Sequence, residues 1–180
     1  MPSTPFQFIA ESDLVRLRPV QAADWDEMFQ TASDPLIWEF HPEPNRFEEP
    51  RFRRYFDNAI AAGKALTILD RQTGEIIGSS RYDGHDEALS EVEIGWTFLV
   101  RRCWGGAWNR QVKRLMLDHA FHHVDTAIFH VGEANLRSRG AMLKIGGVLR
   151  PGLIDYPIDD RLVPYVVYEI RKPGSFPPFT

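Results

Sequence analysis

The 180-residue chain predicts an α/β (α+β) fold in a single domain that spans residues 1–180. Three observations support this prediction. Some segments alternate apolar and polar side chains, as strands do, whereas others repeat their apolar side chains every three to four residues, as helices do. The two kinds of segment are interleaved along the chain, which gives about seven strands and about four helices.

The first third of the chain contains one strand and two helices. Apolar and basic residues alternate over residues 14–20, which predicts a strand. Helical spacing of apolar side chains predicts helices at 22–33 and 51–62, and the second helix is expected to end at Gly63. Residues 39–50, which lie between the two helices, contain three prolines and are predicted to form a loop.

The remainder alternates strands with two strong helices. The helices are predicted at residues 109–124 and 136–145, where one face of each is apolar. The Pro- and Gly-containing end of the chain, about residues 172–180, is predicted to be an extended tail. The remaining strands are predicted at residues 65–70, 75–82, 91–100, 126–131, 148–153 and 164–170.

Composition excludes several classes of function. The net charge of -4 does not favour nucleic-acid binding, and no apolar run is long enough to cross a membrane. Cys103 is the single cysteine, so no disulfide can form within the chain. No signal peptide and no metal-ligand motif are recognisable, and we expect a cytoplasmic protein, monomeric or homodimeric, that uses no metal.

The most informative segment is residues 91–109, which is predicted to form a strand, a glycine turn and the start of a helix. Such a turn directs backbone N–H groups at one point and forms an anion site. Gly105 and Gly106 would let the backbone approach a phosphate closely, and Asn109 is a candidate helix cap. The segment lacks the dinucleotide fingerprint and the Gly-Lys-Ser/Thr of a P-loop.

Arg102-x-x-Gly105-x-Ala107 resembles the Arg/Gln-x-x-Gly-x-Gly/Ala signature of the GCN5-related N-acetyltransferase (GNAT) family. The resemblance implies a mixed central sheet in which the fourth and fifth strands splay apart. It also implies that acetyl-CoA is the co-substrate, with its pyrophosphate in the turn and its pantetheine arm in the gap. The cofactor-binding residues expected on this basis are Phe98, Val100, Arg102, Cys103, Trp104, Gly105, Gly106, Ala107, Trp108, Asn109, Arg110, Lys113, Asn135 and Ser138.

Asn135-x-x-Ser138 resembles the segment that follows the fifth strand of the family. By that resemblance Asn135 binds the cofactor, and Ser138 protonates or solvates the departing thiolate. An ordinary helix cap is the alternative role of Asn135. Met142 stands where many members have a tyrosine acid. Together with Glu93-Ile-Gly-Trp96 and Trp104-Gly-Gly106, this pattern resembles the RimJ/RimL-type branch of the family.

Three cations, Arg110, Lys113 and Arg114, follow the turn. Positive charge near a helix N-terminus costs about 0.3–1 kcal/mol per residue, and a bound polyanion would reverse the sign. We therefore expect at least one of the three to contact a phosphate of coenzyme A. The alternative is a solvated helix face.

Transfer to an amine needs a proton acceptor, because a primary amine is mostly ammonium at neutral pH. Glu93 is the candidate, and Glu91, which shares its strand parity, is the competitor. A backbone N–H near Phe98 would polarise the thioester oxygen. Eight acids against one base between residues 21 and 50 would favour a cationic acceptor if they lined the site, and the alternative is a solvated surface.

The sequence therefore predicts an N-acetyltransferase that moves the acetyl group of acetyl-CoA directly to a primary amine. The acceptor would be a protein N-terminus or a small cationic amine. Two other possibilities remain open. One is a module that binds coenzyme A without turnover, and the other is a structural or interaction domain.

Overall fold

The computed structural model describes residues 5–174, which form one nine-stranded sheet and four α-helices. The strands are β1 (Ala10–Glu11), β2 (Val15–Pro19), β3 (Ala65–Asp70), β4 (Ile76–Asp86), β5 (Glu91–Leu99), β6 (Thr126–Gly132), β7 (Val148–Leu149), β8 (Ile154–Ile158) and β9 (Arg161–Arg171). The helices are α1 (Trp25–Ala32), α2 (Glu49–Ala62), α3 (Ala107–Ala120) and α4 (Leu136–Lys144). None of the helices in this part of the chain is long and apolar enough to cross a membrane.

The strand order is β1-β2-β3-β4-β5-β6-β9-β7, and β8 pairs with β9. Within the described residues, β5 and β6 form the single parallel pair, and every other pair is antiparallel. The mixed sheet is confirmed, with nine strands instead of about seven. The additional strands are the two-residue β1 and the exposed β8, whose Pro157 interrupts the strand pattern.

Several predicted boundaries differ from the structure by a few residues, and α2 begins at Glu49 instead of residue 51. The helix predicted at 109–124 begins at Ala107, and its N-cap is Gly106, so the prediction that Asn109 caps it is wrong. Gly106 has an extended backbone, and the chain becomes helical directly after it. The strand predicted at 75–82 continues to Asp86. Most of the predicted tail at 172–180 lies outside the described residues.

Two apolar cores lie on the two faces of the sheet. One packs α3 against the sheet through residues such as Val112, Met116 and Ile94. The other packs α1 and α2 through an aromatic cluster that includes Trp38, Phe52 and Phe98. The sheet is therefore covered on both faces, and a binding site within it requires a gap between two of its strands.

The sheet opens between β5 and β6. Their parallel pairing is confined to Glu91–Glu93 with Thr126–Ile128, and the strands separate beyond it. The cause is a bulge in β5, where Trp96 has a left-handed backbone with φ 50° and the register with β4 shifts between Ser79 and Arg81. The splay expected for the predicted fourth and fifth strands is confirmed.

Two contacts hold Trp96 in this conformation, which is costly for a residue other than glycine. The Tyr55 hydroxyl of α2 donates to the Trp96 carbonyl at 2.7 Å. The Arg81 guanidinium lies 3.7 Å from the centroid of the indole ring. The bulge is therefore fixed from α2 on one side and from β4 on the other.

Close packing of β4 on β5 beside the bulge requires glycine at position 78. A Cβ placed on Gly78 would lie 2.0 Å from the Phe98 carbonyl oxygen, a contact that only backbone movement can relieve. We expect Gly78→Ala to lower the free energy of unfolding by about 1–3 kcal/mol through overpacking.

Gly140→Ala is the matched control for Gly78→Ala. Gly140 lies within α4, and a Cβ there would meet nothing within 4 Å. Because alanine favours the helix over glycine, this change is expected to stabilise the protein by about 0.5–1 kcal/mol. Urea denaturation measures both values, and a Gly78→Ala variant as stable as the wild type would contradict the proposed packing constraint.

Candidate active site

A cavity of about 490 Å³ occupies the gap between β5 and β6 and reaches both faces of the sheet. On the α3 face it is lined by the glycine turn, α3 and α4, including Gly105, Asn109 and Met142. On the α2 face it is lined by Trp38, His41 and other residues near the start of the 39–48 loop, and by Tyr165 of β9. The gap is therefore a passage through the sheet with one wall formed by the unpaired edge of β5.

The α3 end of the cavity has free backbone donors. Gly105 has φ 70°, and in the described chain no backbone hydrogen bond occupies the N–H of Gly105 or Gly106. No side chain caps the N-terminus of α3. Since the first N–H groups of a helix have no partner within the helix, this turn can bind a polyanion such as a pyrophosphate.

Of the fourteen residues predicted to bind the cofactor, ten line the cavity. They are Phe98, Cys103, Trp104, Gly105, Gly106, Asn109, Arg110, Lys113, Asn135 and Ser138. The other four, Val100, Arg102, Ala107 and Trp108, are not part of the lining. Arg102 instead binds Asp70 at 3.0 Å and Glu75 at 3.1 Å, beside the turn.

The three cations after the turn have different surroundings. Arg110 is exposed at the mouth of the cavity, as expected for a phosphate contact. Arg114 points away and pairs with Asp118 at 3.7 Å. Lys113 is only 3% exposed, and its Nζ donates to Thr97 Oγ1 at 2.6 Å. Of the three cations, Arg110 is therefore the one exposed where a phosphate could reach it, whereas Lys113 lines the interior of the cavity.

Asn135 caps α4, with its side chain accepting a hydrogen bond from the Ser138 N–H at 3.1 Å. The capping role is therefore present, and both residues also line the cavity. The sequence interpretation missed Arg137, whose guanidinium lies 4.0 Å from the centroid of the Trp104 ring and donates to the Ile37 carbonyl at 2.8 Å. Its position in the first turn of α4 was the available signal.

The α2 end of the cavity carries a proton-accepting group. His130 of β6 lines the cavity, and its Nδ1 lies 3.1 Å from Glu93 Oε2. The Tyr156 hydroxyl lies 3.0 Å from the same nitrogen. Burial raises the pKa of Tyr165, beside them, to about 12, so its hydroxyl stays neutral at physiological pH. Glu93 is behind His130 instead of lining the cavity itself.

Glu91, the competing carboxylate, is occupied elsewhere. It forms an ion pair with Arg150, whose Nε also binds Glu169 Oε2 at 2.6 Å. A carboxylate held by a guanidinium away from the cavity is poorly placed to accept a proton from a bound amine. Of the two carboxylates, Glu93 is the one that contacts a residue of the cavity lining, His130.

The acids between residues 21 and 50 do not form a wall of the cavity, because none of its lining residues is a carboxylate. Asp24 pairs with Arg18 at 2.7 Å, and Asp34 and Glu43 pair with Arg101 and Arg46. The remaining acids of this segment have exposed side chains and belong to the solvated surface. Across residues 5–174, no three His, Cys, Asp or Glu side chains converge as metal ligands would.

Comparisons with known proteins agree with this geometry. The sequence profile of the "Acetyltransferase (GNAT) domain" matches residues 15–148. No protein with a curated description matches the chain.

Many solved structures share the fold. A GCN5-related N-acetyltransferase from Brucella melitensis is 19% identical with a TM-score of 0.75, over 92% of this chain and 79% of that chain. A GNAT-family acetyltransferase from Bacillus anthracis is 17% identical with a TM-score of 0.73, over 91% and 98%.

Spermidine N-acetyltransferase from Vibrio cholerae, solved with CoA and spermine, is 16% identical with a TM-score of 0.66, over 89% of this chain and 96% of that chain. At such identities the likeness shows the fold and leaves the acceptor open. The profile match, by contrast, covers well over half of the chain. This protein therefore belongs to the GCN5-related N-acetyltransferase family.

Proposed function

We propose that this protein transfers the acetyl group of acetyl-CoA directly to a primary amine. The observation that carries the proposal is the passage through the sheet. It has free phosphate-binding donors at the α3 end and the Glu93–His130 pair at the α2 end. Both substrates can therefore be present together, which a direct transfer requires.

The α3 end suits coenzyme A in three respects. The N–H groups of Gly105 and Gly106 and the uncapped start of α3 would hold the pyrophosphate. Arg110 supplies a cation at the mouth. The edge of β5 beyond Glu93 has no strand partner on its β6 side, which leaves room there for the amides of the pantetheine arm to pair with backbone groups. Acetyl-CoA would supply the activated acetyl group.

Glu93 and His130 would accept the proton of the amine. If His130 donates its Nδ1 proton to Glu93, the lone pair of Nε2 is left to accept a proton. The carboxylate then stabilises the imidazolium that forms. His130 would contact the amine and Glu93 would position His130, which refines the role predicted for Glu93 alone.

The acceptor is proposed as a single primary amine, such as an N-terminal amine or a small monoamine. A polyamine would need a second anionic subsite, and the cavity lining offers no carboxylate for it. Membership of the RimJ/RimL-type branch, which includes enzymes for N-terminal amines, stays a prediction. A cytoplasmic location and a monomeric or dimeric state likewise stay predictions.

The function is tested by incubating the protein with acetyl-CoA and a panel of amines, N-terminal peptides and polyamines while free thiol is measured. Thiol release that depends on a primary amine, with an acetylated product in the mass spectrum, is the expected result. Tight coenzyme A binding without turnover on any acceptor would favour a binding module. Absence of coenzyme A binding would favour a structural domain.

Glu93→Gln and His130→Gln are each expected to lower kcat by about 10²–10⁴-fold, because each removes part of the proton acceptor. The affinity for acetyl-CoA should stay within about twofold of the wild type, since the donor is held at the other end. Glu91→Gln is the matched control and should keep its turnover while losing stability with its Arg150 ion pair. If Glu91→Gln lost turnover and Glu93→Gln kept it, Glu91 and not Glu93 would be the carboxylate that assists proton transfer.

Gly105→Val is expected to weaken acetyl-CoA binding by about 1–3 kcal/mol, because valine resists φ 70° and would displace the backbone donors. Gly74→Val is the matched control, since Gly74 has φ 78° in the distant β3–β4 turn. Both variants strain the backbone, and only the first should change the affinity measured by calorimetry. Equal affinities of folded Gly105→Val and Gly74→Val for acetyl-CoA would contradict the placement of the pyrophosphate at this turn.

Arg110→Gln tests whether this cation contacts the ribose phosphate. We expect the variant to bind coenzyme A less tightly than the wild type does while binding dephospho-coenzyme A equally well. The difference should shrink as salt screens the charge. Arg114→Gln, one turn along the same helix, should change neither affinity. A loss for both ligands would place Arg110 on the pyrophosphate instead.

A further inference from the structure

Lys113 is a buried cation without a counter-anion. Its side chain is 3% exposed, and its Nζ is bonded to the hydroxyl of Thr97 at 2.6 Å and lies 3.5 Å from that of Ser80. No ion pair within residues 5–174 includes it. A buried ammonium that nothing neutralises is costly, so its presence calls for a function.

Its position is inside the passage. Thr97 follows the bulge residue Trp96 on β5, and the ring centroid of Phe129 on β6 lies 5.6 Å from the Nζ. Thr97 and Phe129 both lie beyond the paired residues of β5 and β6, so the ammonium lies where the two strands have separated, and Lys113 lines the cavity. Met142, on the α4 side of the same cavity, contributes no proton donor.

We propose that Lys113 is the residue that neutralises and protonates the sulfur of coenzyme A as the acetyl group leaves. The proposal rests on the function proposed above, because only a thioester donor places a departing sulfur in this passage. The negative charge that develops on that sulfur would supply the missing counter-charge of the ammonium.

In the transfer step, one proton moves to the sulfur and one leaves the nitrogen. The neutral amine forms a carbon–nitrogen bond with the acetyl carbon, and the electron pair of the broken carbon–sulfur bond goes to sulfur. Lys113 gives one proton to that sulfur and becomes a neutral amine, while His130 takes one proton from the nitrogen of the acceptor. Lys113 then regains a proton from solvent and His130 releases one, so no net proton is consumed.

Lys113 is better suited to this step than the other groups in the cavity. Burial lowers its pKa to about 7, and no charged neighbour on β4, β5 or β6 contributes to the change. A thiol has a pKa of about 8.5, so proton transfer from Lys113 to the thiolate is downhill. Burial raises the pKa of Cys103, which makes that thiol a poorer donor, and the Ser138 hydroxyl proposed from the sequence is a far weaker acid.

The direct test measures the thiol of bound coenzyme A by its thiolate absorbance as pH is varied. At pH 7, where part of Lys113 is charged, the ammonium should stabilise the thiolate, so the wild type should show about two- to fivefold more bound thiolate than Lys113→Met does. Arg114→Met removes one exposed cation from the next position of α3 and should match the wild type. Equal thiolate fractions at pH 7 in the wild type and Lys113→Met would overturn the proposal.

A second test measures turnover. Lys113→Met should lower kcat by at least about tenfold with little change in the affinity for acetyl-CoA. Lys113→Arg should still stabilise the thiolate but should fail to restore kcat, because arginine does not release its proton. Full turnover in Lys113→Met would contradict the proposal. If the wild type acetylates no amine, the proposed function fails, yet the thiol measurement still decides whether Lys113 faces the sulfur.

Thermal unfolding tests whether Lys113→Met is folded and whether the charged lysine is buried in the wild type. The unfolded chain binds the Lys113 proton up to a pKa of about 10.5, whereas the folded chain loses it at about 7. Burial of the charged Lys113 therefore lowers the free energy of unfolding by its full amount below pH 7. This loss of stability disappears as pH rises toward 10.5. Lys113→Met should raise Tm more at pH 6 than at pH 10. An equal Tm change at both values would contradict burial of the charged group.

Discussion

The left-handed backbone of Trp96 is the constraint on which the rest of the structure depends. Were β5 regular, it would continue its parallel pairing with β6 past Glu93, and the sheet would be closed. The bulge turns β5 away, leaves one of its edges unpaired and opens the passage between the two cores. Because α2 holds the Trp96 carbonyl through Tyr55, helix packing on one face decides the width of the gap.

The surface end and the interior of the passage differ in polarity and in exposure to water. The turn at Gly105 offers N–H dipoles and exposed charge, which suit a hydrated polyanion at the surface. The interior replaces water with aromatic rings and a few hydrogen-bonded groups, so charges that change there interact strongly. Lys113, His41 and His130 are ionisable groups of the cavity lining that lie in this interior.

Local patterns predicted the elements well because helices and strands bury periodic faces. The glycine turn was recognised differently, from the resemblance of Arg102-x-x-Gly105-x-Ala107 to a family signature. The start of α3 was misplaced because Gly106, and not a polar side chain, precedes its first turn. The short β1 and the Pro-containing β8 lack the period on which strand prediction depends.

The site was less predictable because it depends on contacts between distant segments. Helical periodicity could not distinguish Lys113 from its solvated neighbour Arg114, since only the position of Thr97 reveals the burial. His130 shares a face with Glu93, but that relation appears only when β6 is set beside β5 in register. Likewise, the ion pair between Asp34 and Arg101 joins residues that are distant in sequence.

The two ends of the passage belong to different parts of the fold. The α3 end is lined by the glycine turn, α3 and α4, whereas the α2 end is lined by the start of the 39–48 loop, β9 and β6. Insertions and exchanges in a surface loop are tolerated far better than changes in a packed helix. Under the function proposed above, descendants of this chain could therefore change their acceptor by remodelling one loop while keeping the same donor site.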